Sequence, residues 1–266
     1  MGALRAADLD VERVGEGPPV VLVHGSVVGR ERTWSEQRPL AARWTLILPN
    51  RPGFGASPPL ERGDFEAEAP AVAELLGGGA HLVGHSYGAV IALCAAGLRP
   101  HAVRSLTVSE PGALRLAAGD PEVDATIANG ERLYAAGADA LLSPRDFVAL
   151  FRAGARSARA TPEKLPDWLE RGARHAMAER PAWEVEPPLD AIASAAFPKL
   201  VISGAHSPVF EAVCDVLAAR IGAERAQVPG RDHSVSANGE PYNALLEELL
   251  TRAERSARAG GEARSA

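Results

Sequence analysis

Ser86 and His233 are the residues whose types and settings indicate nucleophilic chemistry. Ser86 is the centre of a G-x-S-x-G pattern formed with Gly84 and Gly88, directly after the apolar run AHLVGH and directly before a helical pattern. A tight turn from strand to helix needs such small neighbours and projects its central side chain as a nucleophile. An imidazole late in the chain, such as that of His233, can accept the serine proton near neutral pH. We therefore predict that Ser86 is a nucleophile and His233 its general base.

Short apolar runs alternate with longer helical patterns, and this alternation must position the two residues. The runs predict strands at 20–25, 45–50, 80–85, 104–110, 199–204 and 225–230. Helix-spaced apolar residues occupy 63–77, 87–98, 207–222 and 238–253. Several strands are apolar at consecutive positions, which is typical of strands covered on both faces. We expect an α/β fold with a mostly parallel sheet flanked by helices.

Three segments resemble the α/β-hydrolase superfamily, and the likeness covers nearly all of the chain outside 111–197. VVLVHGSV (20–27) resembles the strand and turn that shape the oxyanion hole of that family. NRPGFGASP (50–58) resembles its D-x-x-G-x-G-x-S segment, with Asn50 in place of the usual Asp. VPGRDHSVSANGEPYNALLEELL (228–250) resembles its last strand, histidine loop and last helix. The resemblance implies the α/β-hydrolase fold.

The same resemblance implies where a developing oxyanion would be held. The backbone N–H groups of Ser26 and Tyr87 would donate to it, and Val27 is the second-ranked alternative to Ser26. Preorganised donors of this kind contribute about 3 to 4 kcal/mol each. We expect His24 to pack behind the turn and to take no part in proton transfer.

The acid that orients the imidazole is the unusual feature. In most of the superfamily it follows the strand equivalent to KLVISG (199–204), but the residues there are Ala205, His206 and Ser207. A minority of relatives, which resemble haloalkane dehalogenases in this one respect, place the acid at the end of the preceding strand. Here RSLTVSEP brings Glu110 to that end, at the carboxyl edge where α/β folds collect ligands. We assign Glu110 as the acid.

Two other carboxylates are weaker candidates. Asp232 is adjacent to His233, but adjacent side chains in an extended segment point to opposite sides. Glu211 lies within a predicted helix. His206 could donate a hydrogen bond within the site, but an exposed loop histidine is the favoured interpretation.

The segment 111–197 contains helical patterns and no convincing strand, so we predict a helical cap inserted into a hydrolase core formed by 1–110 and 198–252. The polar tail 253–266 is expected to be disordered. Aromatic and thioether side chains of the cap either line an apolar pocket or pack the cap onto the core; they are Phe147, Phe151, Trp168, Met177 and Trp183.

Composition excludes several classes of function. The 266 residues carry a net charge of −6, which disfavours nucleic acid as a partner. We found no apolar run long enough to cross a bilayer and no secretory signal, so we expect a cytoplasmic protein without membrane insertion. The sequence implies no metal or organic cofactor and leaves the oligomeric state open.

The favoured function is a serine hydrolase that cleaves an ester, lactone or thioester of a small, fairly apolar molecule through an acyl-enzyme. Epoxide hydrolase and dehalogenase activities are disfavoured, because those relatives have Asp at the position of Ser86. The alternatives on the same fold are a perhydrolase or haloperoxidase-like enzyme, a lyase, a cyclase or an acyltransferase. A non-catalytic ligand-binding protein ranks last.

Overall fold

The computed structural model describes residues 4–139 and 141–265. Their strands are β1 (Val11–Val14), β2 (Pro19–Val23), β3 (Thr45–Pro49), β4 (Ala80–His85), β5 (Val103–Ser109), β6 (Lys199–Ser203) and β7 (Glu224–Gln227). The described strands form one sheet in the order β1-β3-β2-β4-β5-β6-β7. β1 pairs antiparallel with β3, and the other pairs are parallel. The α/β-hydrolase fold expected from the sequence is confirmed.

Each of the six predicted runs contains a strand, and β1 is the strand that the sequence did not reveal. Its sequence, VERV, places two charged residues between two valines and lacks the apolar run used to recognise the others. β1 lies at an edge of the sheet, where one neighbour and partial exposure are sufficient.

Helices cover both faces of the sheet, as the apolar strands require. The α-helices of the described residues are α1 (Arg30–Thr33), α2 (Phe65–Leu75), α3 (Tyr87–Leu98), α4 (Pro121–Ala138), α5 (Pro144–Gly154), α6 (Asp167–Met177), α7 (Leu189–Ser194), α8 (Pro208–Ile221) and α9 (Glu240–Ser265). β2 shows the division: Val21 and Val23 pack with α2 and α3, whereas Val20 and Leu22 pack in the cluster that includes α9. This alternation follows the two-residue period of a strand.

α4, α5 and α6 form a cap between β5 and β6. Their apolar side chains share a separate cluster with Phe210 of α8 and with Val27 after β2. Asp120 and Ser143 accept hydrogen bonds from the first-turn N–H groups of α4 and α5, which explains where those helices begin. α7 packs differently, because its Leu189 and Ile192 belong to the main core. The last part of 111–197 is therefore continuous with the core.

The tail differs from the expectation of disorder. α9 continues to Ser265, through nearly all of 253–266, and Ala266 lies outside the described residues. Alanine, arginine and glutamate dominate residues 252–259 and favour helix, which polarity alone does not reveal. Among the described helices, none is long and apolar enough to cross a membrane.

Candidate active site

The turn between β4 and α3 holds Ser86 in a conformation that serine rarely adopts, with φ 56° and ψ −118°. Glycine on either side makes the turn possible. A Cβ on Gly84 would lie 2.5 Å from the carbonyl oxygen of Gly88, and a Cβ on Gly88 would lie 2.3 Å from that of Val23. Strand and helix therefore approach too closely for any larger residue, and Ser86 is presented at the carboxyl edge of the sheet.

The structure brings together the three side chains predicted from the sequence. Nε2 of His233 lies 2.9 Å from Oγ of Ser86, and its Nδ1 lies 2.6 Å from Oε2 of Glu110. Because the carboxylate can only accept, Nδ1 carries the proton and Nε2 is left to accept one from Ser86. This is the arrangement that a nucleophile, base and orienting acid require.

Glu110 is fully buried and follows the last residue of β5. Its second oxygen, Oε1, accepts a hydrogen bond of 2.6 Å from the backbone N–H of Gly204 and lies 3.2 Å from Nδ1 of His206. This His206 contact does not have the geometry of a hydrogen bond. Burial alone would raise the pKa of Glu110, but His206 and His233 lower it to about 2. Glu110 is therefore ionised at neutral pH.

The two rival carboxylates have other partners. Asp232 accepts a hydrogen bond of 2.9 Å from the N–H of Ala158 in the cap. Glu211 accepts from Oγ of Ser203 and from Nη2 of Arg225, at 2.8 and 2.6 Å. The structure therefore does not bring either carboxylate to the imidazole.

Two rings support His233 from the sides. Phe210 stacks on it with ring centroids 4.5 Å apart. Nε2 of His85 donates to the carbonyl oxygen of His233 at 2.6 Å. Burial and the nearby His233 lower the pKa of His85 to about 4, so His85 is neutral. Sequence reasoning expected His85 only to pack, and this contact between residues 148 positions apart had no local signal.

Both predicted oxyanion donors lie beside Ser86. Tyr87 is the first residue of α3, so its N–H has no acceptor within the helix. Ser26 follows Gly25, on which a Cβ would lie 3.0 Å from Cβ of Ser86. The loop after β2 therefore approaches Ser86 closely. Ser26 and Tyr87 border the same cavity as Ser86 and His233.

Two cavities meet at Ser86 beneath the cap. One, of about 680 Å³, is bordered by side chains of α4 and by Trp183. The other, of about 490 Å³, is bordered by Trp168 and by four arginines, Arg32, Arg152, Arg159 and Arg231. Phe151 borders both. Phe147 and Met177, the other cap residues singled out in the sequence, pack within the cap cluster.

A buried ionic group behind the oxyanion loop was not predicted. Arg51 forms ion pairs with Glu68 and Glu179, both at 2.8 Å, and all three side chains are at most 2% exposed. Arg51 follows Asn50 in the segment already noted for its resemblance, but its partners lie 17 and 128 positions away. Asn50 donates to Asp10 at 3.1 Å and has a structural role at the end of β3.

Comparisons with known proteins identify the lineage of this arrangement. Residues 20–246 match the model of the alpha/beta hydrolase family. Over 113 residues the chain is 42% identical to a pimeloyl-[acyl-carrier protein] methyl ester esterase of Methylococcus capsulatus, covering 39% of this chain and 44% of that protein. A protein of the same name from Aeromonas salmonicida is 31% identical over 177 residues, covering 65% of this chain and 66% of that protein.

The matched regions thus span between 44% and 66% of the length of these curated relatives. Among solved structures, an alpha/beta hydrolase from Sphaerobacter thermophilus superimposes with a TM-score of 0.66 at 25% identity, covering 91% of this chain and 96% of that one.

Proposed function

This chain belongs to the alpha/beta hydrolase family, and we propose that it is a serine hydrolase that cleaves a carboxylic ester, lactone or thioester through an acyl-enzyme. The observation that carries the proposal is the continuous contact from Ser86 Oγ through His233 to Glu110, at 2.9 and 2.6 Å. The esterase names of the curated relatives support ester cleavage over the non-hydrolytic reactions of the same fold.

The hydrogen bonds support the following roles. Ser86 Oγ attacks the substrate carbonyl while Nε2 of His233 takes its proton. The imidazolium that forms is stabilised by the ionised Glu110 and then protonates the leaving group. Water, activated by the same imidazole, attacks the acyl-enzyme and releases the acid.

The backbone N–H groups of Ser26 and Tyr87 donate hydrogen bonds to the negatively charged oxygen of the tetrahedral intermediate. Each such donor contributes about 3 to 4 kcal/mol to transition-state stabilisation when its direction is fixed beforehand. Their position beside Ser86 supports this role.

The two cavities suggest how the substrate lies. The cavity beside α4 is bordered by apolar side chains, including Leu114, Leu133 and Trp183, and suits the acyl chain of a fairly apolar small molecule. The cavity with four arginines and two glutamates suits a more polar leaving group. An acyl chain in the first cavity places its carbonyl at Ser86, where the two cavities meet.

Replacement of the nucleophile tests the proposal. We expect Ser86→Ala to lower kcat by about 10⁶-fold and to abolish covalent labelling by a fluorophosphonate. Turnover is measured on a panel of candidate substrates that consists of p-nitrophenyl esters of graded chain length, lactones and acyl thioesters. Ser194→Ala removes an exposed hydroxyl of α7 and serves as the matched control. Unchanged turnover in Ser86→Ala, or failure of the probe to label the native protein, contradicts the proposal.

A further inference from the structure

We infer that Arg51 and Glu179 are positioning residues that fix the direction of the Ser26 N–H, and that Glu179 makes this direction depend on the cap. The inference rests on the proposed function, because it concerns an oxyanion donor of that reaction. It assigns a catalytic consequence to a buried ionic group that touches neither the substrate nor the reacting atoms.

The guanidinium of Arg51 donates hydrogen bonds to three partners. Nε and Nη2 donate to the two oxygens of Glu68 at 2.8 and 2.9 Å. Nη2 also donates to Oε1 of Glu179 at 2.8 Å. Nη1 donates to the carbonyl oxygen of Gly25 at 3.1 Å. The guanidinium is thus held by two carboxylates and in turn holds one backbone carbonyl.

That carbonyl determines where the proposed oxyanion donor points. The carbonyl of Gly25 and the N–H of Ser26 belong to one planar peptide unit, and in a trans unit they point in opposite directions. Nδ1 of His24 donates to the same oxygen at 2.9 Å, and Nε2 of His24 accepts from the backbone N–H of Arg51 at 3.0 Å. Two donors therefore hold the carbonyl on the protein side, which directs the Ser26 N–H away from Arg51.

Glu179 connects this peptide unit to the cap. Its Oε2 accepts the hydroxyl hydrogen of Ser26, while its Oε1 pairs with Arg51. Glu179 lies just beyond the end of α6, and the next residue, Arg180, donates its N–H to the carbonyl of Gly63 in the core at 2.7 Å. The carboxylate of Glu179 thus binds the side chain of Ser26, and the backbone N–H of Ser26 is the proposed donor.

Tyr87, whose backbone N–H is the second proposed donor, packs its ring against the same guanidinium of Arg51. Cζ of Arg51 lies 4.2 Å from the centre of the Tyr87 ring, and the phenol donates to the Gly63 carbonyl at 3.4 Å. Burying an arginine and two glutamates has a high desolvation free energy, and apolar side chains would fill the same space at a lower free-energy cost. A network in which each charge has a partner, however, holds backbone groups in a single geometry.

Two variants, their combination and one control test the inference. Glu179→Gln replaces one acceptor oxygen with a donor amide, so the contacts to Ser26 and Arg51, which use different oxygens of Glu179, are not both kept. Ser26→Ala removes the hydroxyl and keeps the backbone N–H. Glu184→Gln removes one exposed carboxylate from the same cap segment and is the matched control. Each is measured for kcat, KM, melting temperature and affinity for a trifluoromethyl ketone, which forms a tetrahedral adduct with the serine.

We expect Glu179→Gln to lower kcat by about 10- to 50-fold, somewhat less than the loss of a whole oxyanion donor, and to change KM by less than about threefold. Affinity for the ketone should fall in parallel. Ser26→Ala should show a smaller loss, of about 5- to 10-fold. Both changes remove the same contact, that between Ser26 and Glu179. The kcat of the double variant should therefore be no lower than that of Glu179→Gln alone.

The inference is overturned if both variants keep kcat and ketone affinity within twofold of the native protein, or lose no more than Glu184→Gln does. A change confined to KM or melting temperature also overturns it, because a merely structural role predicts that outcome. If Glu179→Gln does not fold, Ser26→Ala decides. Fluorophosphonate labelling of Ser86 in the native protein separates failure of this inference from failure of the proposed function.

Discussion

The carboxyl ends of β5 and β6 are neighbours in the sheet, yet they supply the site with opposite kinds of group. β5 is followed directly by Glu110, whose carboxylate accepts from His233 at 2.6 Å. β6 is followed by Gly204 and His206, which provide a backbone donor and an imidazole to that same carboxylate. In most of the superfamily the acid follows the strand equivalent to β6. Here the residues after β6 instead contact an acid that follows the adjacent strand, β5. Adjacent strands lie only about 4.8 Å apart, so this exchange changes the reach required by little.

Small backbone details make the exchange possible. Glu110 has φ 43° and Ala205 has φ 54°, so the chain turns sharply just after both strands. A Cβ on Gly204 would lie 3.2 Å from Oε1 of Glu110 and 2.6 Å from the carbonyl oxygen of Asp232. A larger residue there would push the two loops apart. The loop after β6 therefore leaves room for the carboxylate of Glu110.

Among changes to the carboxylates beside these strand ends, the largest effect should come from removing the charge that follows β5. We expect Glu110→Gln to lower kcat by about 10⁴-fold, because the new amide can donate to Nδ1 and leave the His233 proton on Nε2, where it cannot accept from Ser86. Steady-state kinetics on the best ester of the panel measures the change. A loss of less than tenfold would contradict the assignment of Glu110.

The same substitution should alter the pH dependence of stability. The pKa of Glu110 is lowered from 4.5 to about 2, so the ionised group stabilises the folded state by roughly 3 kcal/mol above pH 4.5. This contribution is lost as the pH falls from about 4.5 towards 2. Urea unfolding of native protein and Glu110→Gln should show a stability gap at pH 7 that narrows below pH 4.5. A gap that is constant with pH would rule out a charge effect.

The carboxylate beyond β6 should matter for stability and little for turnover. Glu211 accepts from Ser203, from Arg225 and from the N–H of Ala205, so Glu211→Gln should cost about 1 kcal/mol of unfolding free energy. Its kcat should stay within about twofold, because these contacts do not include His233. Chemical denaturation and kinetics on the same sample check both. A kcat loss near that of Glu110→Gln would make Glu211 the acid.

The smallest effect is expected at the residue adjacent to the base. Asp232 has φ 49° and accepts the Ala158 N–H, and asparagine tolerates that backbone and keeps an acceptor oxygen. Asp232→Asn should therefore change kcat by less than about twofold. If this variant is severely impaired while Glu110→Gln is nearly silent, the assignments of the two carboxylates must be exchanged.

The sequence was most informative where chemistry and local geometry coincide. Gly84 is required by its contact with Gly88 within one turn, and Gly88 by its approach to Val23 of β2. The spacing of the two glycines was therefore sufficient to predict the turn. The position of Glu110 could be predicted because its strand and the following Pro111 end the run in one place. β1 was missed because an edge strand with two charged residues lacks an apolar run.

Long-range partners could not be predicted in this way. Glu179 lies 153 positions from Ser26 and 128 from Arg51, and nothing in its neighbourhood distinguishes it from the exposed Glu184. The support of His233 by His85 has the same character. Such contacts arise only when the cap and loops have folded onto the sheet.

Proton NMR of the His233 Nδ1–H tests the central claim most directly, because that hydrogen lies between the imidazole and whichever acid holds it. The account predicts a low-field resonance in the native protein that is lost or moves strongly upfield in Glu110→Gln and is unchanged in both Asp232→Asn and Glu211→Gln. A resonance that survives unchanged in Glu110→Gln and disappears in either of the other variants would contradict the account.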